Sequence, residues 1–197
     1  PRLQRPLMPR AGLTPAAVVD AAAGIANADG LPAVTLARLA GHFGVRPPSL
    51  YKHVAGLDAI HLALAVRGTA EAARRVQQAT VGKARDDALF ALAHAYWQFA
   101  RDAPGLYAAS LRPTAPGERD LAKAGEALVG TLLAVLAGYG IRGDDALDAA
   151  RGLRAIIHGF VSLDASGGFR LGRDPKESFD RLLAAFARDL AARGSAG

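Results

Sequence analysis

One short segment of the sequence places two cations, two hydroxyls, an imidazole and a proline ring within eight positions. Cations neutralise phosphates, hydroxyl and imidazole groups donate hydrogen bonds to phosphate oxygens, and a serine hydroxyl also reaches a base edge. A proline ring can contact a thymine methyl group. The segment is therefore suited to contacts with double-stranded DNA. Its residues are Arg46, Pro48, Ser49, Tyr51, Lys52 and His53.

Two short helices joined by a tight turn must hold these side chains outward. Thr35 is the predicted N-cap of the first helix, and Gly44 is predicted to end it in a left-handed turn. Because the residue before a proline avoids the α region, Pro47 is the predicted N-cap of a second helix over residues 48–54. Two such helices, braced by a third, make a helix-turn-helix. The helix starts at Thr35 and near Asp58 can add backbone N–H contacts to phosphate.

The charge distribution agrees with a polyanionic partner. The chain has 197 residues and a formal net charge of +6. Up to Gly56 it holds six basic residues against two acidic ones, a net charge of +4, whereas the rest holds 18 against 16, a net charge of +2. The excess of positive charge therefore lies at the N-terminal end, where the helix-turn-helix is predicted.

The composition excludes several classes of protein. There is no cysteine, so disulfides and thiolate metal sites do not contribute. No apolar run is long enough to cross a membrane, and no secretory signal is recognisable, so a cytoplasmic location is expected. The five histidines fall in no metal-ligand spacing, and no nucleophile motif or phosphate loop occurs. We therefore expect no enzyme activity, no metal and no cofactor.

The sequence predicts an all-α fold of about nine helices, because strand patterns are nearly absent. Residues 1–12 are predicted to be a basic, flexible leader whose arginines can lie in the minor groove. Residues 13–60 are predicted to form the three-helix DNA-binding domain, and residues 61–197 a larger helical domain. Apart from the two short helices, the predicted helices span residues 15–29, 58–78, 83–102, 105–111, 118–139, 144–166 and 175–193.

The helix-turn-helix resembles that of the tetracycline-repressor (TetR) family. Residues 35–40 read TLARLA and residues 44–54 read GVRPPSLYKHV, which is similar to the signature of that family. Many members carry a lysine at the start of the fourth helix, where this chain has Leu57, so a phosphate contact there is reduced to the backbone amide. The resemblance implies contacts with operator DNA from Thr35, Pro48, Ser49, Tyr51, Lys52 and His53.

The same resemblance implies a C-terminal domain that senses a ligand and forms a dimer. Residues 151–163 resemble a TetR subclass marked by a His-Gly pair, here His158-Gly159, although that subclass often has Trp before the pair and this chain has Arg154. Aromatic residues concentrate between positions 90 and 107, where an apolar pocket with a few polar groups suits a small molecule. The alternative for His94 and for His158 is that each is a core histidine whose hydrogen bonds are made within the fold. The predicted ligand contacts are Phe90, His94, Trp97, Tyr107 and His158.

Two apolar stripes in the last two helices predict a homodimer built as a four-helix interface. The alternative is that both stripes serve only the internal core. A dimer is also what a palindromic operator requires, because two recognition helices must reach successive turns of the major groove. The predicted dimer contacts are Leu153, Ile157, Val161, Phe179, Leu182, Leu183, Phe186 and Leu190.

These observations predict a DNA-binding transcriptional regulator, specifically a repressor that a small apolar or aromatic ligand releases from a palindromic operator. The alternative is a ligand-binding or scaffold protein whose helix-turn-helix has lost DNA binding, because Leu57 and the Pro47-Pro48 pair depart from a simple DNA-binding pattern. Individual residues also have structural alternatives: Tyr51 can serve packing, His53 can cap its helix, and Arg46 can be a solvated charge.

Overall fold

A computed structural model describes residues 13–194 of the chain. Within that range the secondary structure is helical throughout, with no strand. The two 3₁₀ helices are Leu31–Ala33 and Pro47–Lys52. The eight α-helices are α1 Pro15–Asp29, α2 Leu36–Phe43, α3 Leu57–Thr80, α4 Arg85–Asp102, α5 Pro104–Ser110, α6 Arg119–Ala137, α7 Gly143–Ala165 and α8 Pro175–Gly194. The predicted all-α class is confirmed, and the predicted basic leader lies outside the described residues.

The starts of α1 and α2 follow local sequence signals. The Thr14 hydroxyl accepts a hydrogen bond from the Ala17 N–H at 3.1 Å, and Pro15 occupies the first helical position. The Thr35 hydroxyl likewise accepts from the Arg38 N–H at 3.2 Å. Each cap satisfies one of the N–H groups that a helix start leaves unpaired. Both N-caps are confirmed.

The turn after α2 has the predicted geometry, but the next helix differs from the prediction. Gly44 adopts the left-handed conformation with φ of 64° and ends α2. Arg46, not Pro47, is the extended N-cap residue, and both prolines lie inside the helix. The helix is a 3₁₀ helix that ends at Lys52, two residues before the predicted end. Pro47 and Pro48 occupy the first two positions of the helix and cost no hydrogen bond there, because the N–H groups that proline lacks have no helical partner at a helix start.

The long helix α3 lies at the centre of the fold and packs against α1, α4, α5 and α6. Four residues separate it from the second 3₁₀ helix, and it spans the predicted domain boundary between residues 60 and 61. Gly68 lets α5 approach it closely, because a Cβ at this position would overlap the backbone carbonyl of Leu106. One apolar core extends from Val18 in α1 to Leu190 in α8. Among the described helices none is long and apolar enough to span a membrane.

Candidate functional site

The residues predicted to contact DNA lie together around the turn between α2 and the second 3₁₀ helix. We call them the recognition surface: Thr35, Arg46, Pro48, Ser49, Tyr51, Lys52 and His53. Ser49 and His53 are half-buried and the other five are exposed. Tyr51 is 60% exposed, which argues against a packing role for this large ring. The buried residue of the second 3₁₀ helix is Leu50, which anchors the helix to the core.

The recognition surface is electropositive because its acidic neighbours are neutralised. Asp29 forms an ion pair with Arg38, and Asp20 forms one with Arg67. Asp58, the remaining acid of this region, has Arg112 at 3.7 Å. Within residues 13–194, by contrast, neither Arg46 nor Lys52 has an ion-pair partner. Two free cations therefore remain on this surface.

The start of α3 adds backbone donors beside the recognition surface. Gly56, with φ of 129°, occupies the N-cap position, and no side chain caps the helix. Leu57 packs its side chain against the core. The first N–H groups of α3 therefore keep the partial positive charge of a helix start, but no lysine charge accompanies them.

A cavity of about 400 Å³ lies in the larger part of the molecule. Residues of α3, α4, α6 and α7, the last residue of α5 and the segment between α5 and α6 form its wall. Most of the wall is aliphatic. The lining residues are Thr69, Val76, Leu92, Tyr96, Ser110, Leu111, Arg112, Pro113, Thr114, Leu121, Gly125, Leu128, Val129, Leu132, Leu153, Arg154, Ile157 and His158.

One end of the cavity is polar and holds a short chain of hydrogen bonds. The Tyr107 hydroxyl lies 2.6 Å from His158 Nδ1, and Arg154 Nε donates to His158 Nε2 at 3.3 Å. Burial, followed by the neighbouring Arg154 charge, lowers the pKa of His158 to about 4. Burial raises the pKa of Tyr107 to about 12 and also raises that of Tyr96. At neutral pH the histidine and both tyrosines are therefore uncharged, and Arg154 is the cation among them.

Two further polar residues border the cavity. Thr69 is 6% exposed and its hydroxyl has no hydrogen-bond partner. Arg112, from the segment after α5, has Nη1 at 2.7 Å from Glu118 Oε1. Buried hydroxyls without a partner are uncommon in folded proteins, so Thr69 marks a position where a ligand group can be accommodated.

The predicted ligand residues lie on two different sides of α4. His158 lines the cavity and Tyr107 supports it, but Phe90, His94 and Trp97 face the opposite side of α4. The rings of His94 and Trp97 pack against Phe179 of α8, with centroid distances of 5.6 and 5.0 Å. The predicted shared face of the three residues is thus present. Phe179 of α8 packs on part of it, and a second cavity of about 750 Å³, lined by His94 and Trp97, lies beside that contact.

His94 and Trp97 have polar partners of their own on that covered side. His94 Nε2 lies 2.7 Å from Asp180 Oδ1, and Trp97 Nε1 donates to Asp164 Oδ2 at 3.0 Å. These contacts give both side chains partners within the fold, which agrees with the structural role that the sequence left open for His94.

The predicted dimer contacts differ in their exposure in the monomer. Most of the two apolar stripes face the monomer's own core, because α7 and α8 pack their strongest apolar faces against α4 and against each other. Leu182 is 41% exposed and Phe186 is half-buried, so these two remain candidates for an interface. The residues buried to 4% exposure or less are Leu153, Ile157, Val161, Phe179, Leu183 and Leu190.

Several cavity residues were missed from the sequence. Arg154 and His158 are one helical turn apart on α7, a spacing that places them on the same face and was readable. Tyr96 lies out of phase with Phe90, His94 and Trp97, which indicated that it faces another neighbour. No sequence signal singles out Thr69 or Arg112, which reach the cavity only through the packing of α3 and the segment after α5.

Comparison with known proteins gives a consistent result. Residues 89–186 match the family model described as the tetracyclin repressor-like C-terminal domain. Over 184 residues the chain is 38% identical to the uncharacterized HTH-type transcriptional regulator YobS of Bacillus subtilis, which covers 93% of this chain and 96% of that protein.

Solved structures share the fold. A protein of unknown function from Rhodococcus sp. RHA1 superposes with a TM-score of 0.78 at 26% identity, covering 94% of this chain and 100% of that one. ActR of Streptomyces coelicolor, in complex with (S)-DNPA, superposes with a TM-score of 0.67 at 17% identity, covering 93% and 100%. The fold similarity therefore extends over both the recognition surface and the cavity.

Proposed function

The chain belongs to the TetR family of transcriptional regulators, and from that membership we propose that it binds a palindromic operator as a homodimer and releases it when a small molecule fills the cavity. The observation that carries the proposal is the recognition surface, where Arg46 and Lys52 are exposed and unpaired while Asp20, Asp29 and Asp58 lie beside arginines. Repression follows if the operator overlaps a promoter.

The recognition surface divides into two kinds of contact. Pro48 and Ser49 lie at the start of the second 3₁₀ helix, the end that enters the major groove in a helix-turn-helix, so they are placed to read base edges. Tyr51 and Lys52 follow at its end and suit phosphate oxygens. The first N–H groups of α3 supply one more phosphate contact, in place of the lysine that Leu57 replaces.

The proposal is tested with DNA selected from genomic fragments by the purified protein. We expect Tyr51→Ala and Lys52→Ala each to weaken binding to the selected site by about tenfold, since each removes one phosphate contact. Lys123→Ala, an exposed lysine on α6, is the matched control and keeps full affinity. Gel-shift or anisotropy titrations at several salt concentrations measure the change, and Lys52→Ala lowers the salt slope by about one unit. Equal affinities for all four proteins, or no site selected, contradict the proposal.

The exposed sides of α7 and α8 support dimerisation. Ile156 and Leu163 of α7 and Leu182 and Phe186 of α8 are half-buried or exposed apolar residues. The two helices meet at Gly152, where an added Cβ would lie in ordinary van der Waals contact with the Phe186 ring. Two such helix pairs from two subunits can form the four-helix interface that the sequence predicted, with different residues in contact.

Dimerisation is tested by sedimentation velocity. We expect Leu182→Asp to shift the protein to monomer, because it places a charge in the apolar centre of the proposed interface. Val81→Asp is the control, since Val81 is 73% exposed at the end of α3. A dimer that survives Leu182→Asp unchanged places the interface elsewhere.

Two helices connect the cavity with the DNA-binding part. The helix α3 starts beside the recognition surface and lines the cavity with Thr69 and Val76. The helix α5 is held to α1 by the Asn27 side chain, which accepts hydrogen bonds from the N–H groups of Gly105 and Leu106 at 3.0 and 3.1 Å. A ligand that displaces α3 or α5 therefore moves the two recognition surfaces of a dimer relative to each other. The ligand lowers operator affinity to the extent that it binds the released arrangement of the dimer more tightly than the DNA-binding one.

A further inference from the structure

The wall of the cavity is rich in hydrogen-bond donors and poor in negative charge. None of its 18 lining residues is acidic, whereas two are arginines. Leucine, valine and isoleucine side chains form the rest of the wall together with small polar residues. A ligand that fits such a wall has a large apolar part and a smaller group that accepts hydrogen bonds.

The charges of the two arginines are balanced differently. Arg112 has Glu118 at 2.7 Å and Asp58 at 3.7 Å, so its charge is already compensated within the protein. The contact of Arg154 is the hydrogen bond from its Nε to His158. Within residues 13–194 no carboxylate lies at ion-pair distance from Arg154. The polar end of the cavity therefore carries one uncompensated positive charge.

The hydrogen-bond chain around His158 adds neutral donors to this charge. Because Arg154 Nε donates to His158 Nε2, the imidazole proton lies on Nδ1 and is donated to the Tyr107 oxygen. The hydroxyl proton of Tyr107 then remains for another acceptor. The hydroxyl of Thr69, enclosed and without a partner, is a further donor on the wall.

We propose that the cavity binds a small amphipathic carboxylate, whose charged group pairs with Arg154 beside His158 and whose apolar body lies among Leu121, Leu128 and Leu132. This inference rests on the proposed function, because it specifies the chemistry of the molecule that releases the operator. The guanidinium matches the two carboxylate oxygens with parallel N–H donors. A volume of about 400 Å³ is at the low end for ligand pockets, so the acid is a small one.

The test uses probes that share one apolar chain and differ in the head group. Calorimetric titration of the full-length protein with decanoate, decan-1-ol and decyltrimethylammonium compares an anion, a neutral molecule and a cation. We expect decanoate to bind at least about tenfold more tightly than decan-1-ol, because a charge-assisted hydrogen bond contributes more than a neutral one. The cation is expected to bind most weakly.

Arg154→Gln isolates the charged group. It is expected to weaken decanoate binding by about tenfold or more and to leave decan-1-ol binding unchanged. Arg154 is exposed, so the variant should fold like the wild type. Arg151→Gln is the matched control, since Arg151 lies on the same helix and pairs with Asp148 away from the cavity. It should leave both affinities unchanged.

Three results overturn the inference: equal binding of decanoate and decan-1-ol, no binding of decanoate, or decanoate binding that Arg154→Gln does not weaken. Operator affinity measured without any probe separates this failure from failure of the proposed function. A protein that binds its operator but prefers the alcohol remains a regulator with a neutral ligand. A protein that binds decanoate through Arg154 but no DNA retains the ligand site and loses the proposed function.

Discussion

The two sides of α4 are both rich in aromatic residues, yet they have opposite roles. On one side His94 and Trp97 pack against Phe179 of α8, and we call this the closed face. On the other side Tyr96 borders the cavity, with its ring 5.5 Å from that of His158, and we call this the open face. Each face contains a histidine close to an ionisable side chain, Asp180 or Arg154.

The difference shows what decides whether an aromatic cluster is a core or a site. On the closed face, Phe179 of α8 packs against both rings, Asp180 of α8 lies against His94, and Asp164 of α7 accepts a hydrogen bond from Trp97. Beside these contacts a second cavity of about 750 Å³ is lined by His94 and Trp97. On the open face, α6 and the segment after α5 stand further off, and Arg154 and Thr69 keep polar groups that the protein does not satisfy. The helix that packs against an aromatic cluster therefore decides whether the cluster is core or ligand site, and its residue composition does not.

The largest effect is expected from truncating the centre of the closed face. Phe179 is fully buried and contacts three aromatic rings, so Phe179→Ala should lower the free energy of unfolding by about 3 to 5 kcal/mol. Leu128→Ala, on the half-buried wall of the cavity, should cost only about 1 kcal/mol. Urea denaturation measures both. Equal costs at the two positions would show that the cavity is as tightly packed as the closed face.

A smaller effect is expected from removing the closed-face histidine. His94→Leu removes the imidazole that lies 2.7 Å from the buried Asp180 Oδ1, and the loss of this ion-pair contact should cost about 2 kcal/mol of unfolding free energy. The double variant His94→Leu/Asp180→Leu should recover part of this loss, because both polar partners are then absent. Affinity for decanoate should stay unchanged in His94→Leu. A weakened affinity would return His94 to the ligand site.

The open face should have a pH signature in the stability. Because the pKa of His158 is lowered from 6.5 to about 4 in the folded protein, the unfolded chain takes up this proton at a higher pH. The contribution of neutral His158 to the free energy of unfolding is therefore fully present above pH 6.5 and is lost as the pH falls towards 4. We expect a loss of about 1 kcal/mol, reduced from the full shift because His158 is partly solvated. Denaturation curves at both ends of this window should show the loss in the wild type and not in His158→Gln.

The smallest effect is expected in the fluorescence of Trp97. The indole is 6% exposed on the closed face and its Nε1 is held by Asp164, so a ligand in the cavity should leave its emission nearly unchanged. Titration with a bound probe measures this directly, with calorimetry confirming occupancy. A large spectral shift on saturation would mean that α4 moves as a whole, so that ligand binding on the open face also changes the closed face.

The recognition surface was the most predictable part of the molecule, because its residues lie within one continuous segment. Thr35 as a cap and Gly44 as a left-handed end are local features, set by a hydroxyl and by the absence of a Cβ. The prediction differed from the structure at Pro47, since two consecutive prolines fit the first turn of a 3₁₀ helix as well as its boundary. The DNA contacts themselves stay a prediction, as does the His-Gly subclass.

The ligand and dimer residues were less predictable because they depend on which helix lies against which face. Helical periodicity grouped Phe90, His94 and Trp97 correctly, but it carries no information about the neighbour that covers them. Periodicity likewise identified the strongest apolar stripes of α7 and α8, and the monomer's core uses those stripes first. The exposed sides of α7 and α8 have a weaker apolar periodicity, because they carry glycine and scattered apolar residues.

The sequence by itself determined the helical class, most helix limits, and the residues presented by the turn after α2, because hydrogen bonds and backbone conformations within a few residues decide these features. Only the tertiary structure decided that Arg154, His158 and Thr69 meet at one cavity and that Phe179 of α8 packs on the other side of α4. Such contacts join residues up to 89 positions apart along the chain, and the packing of helix faces, which no local pattern specifies, brings them together.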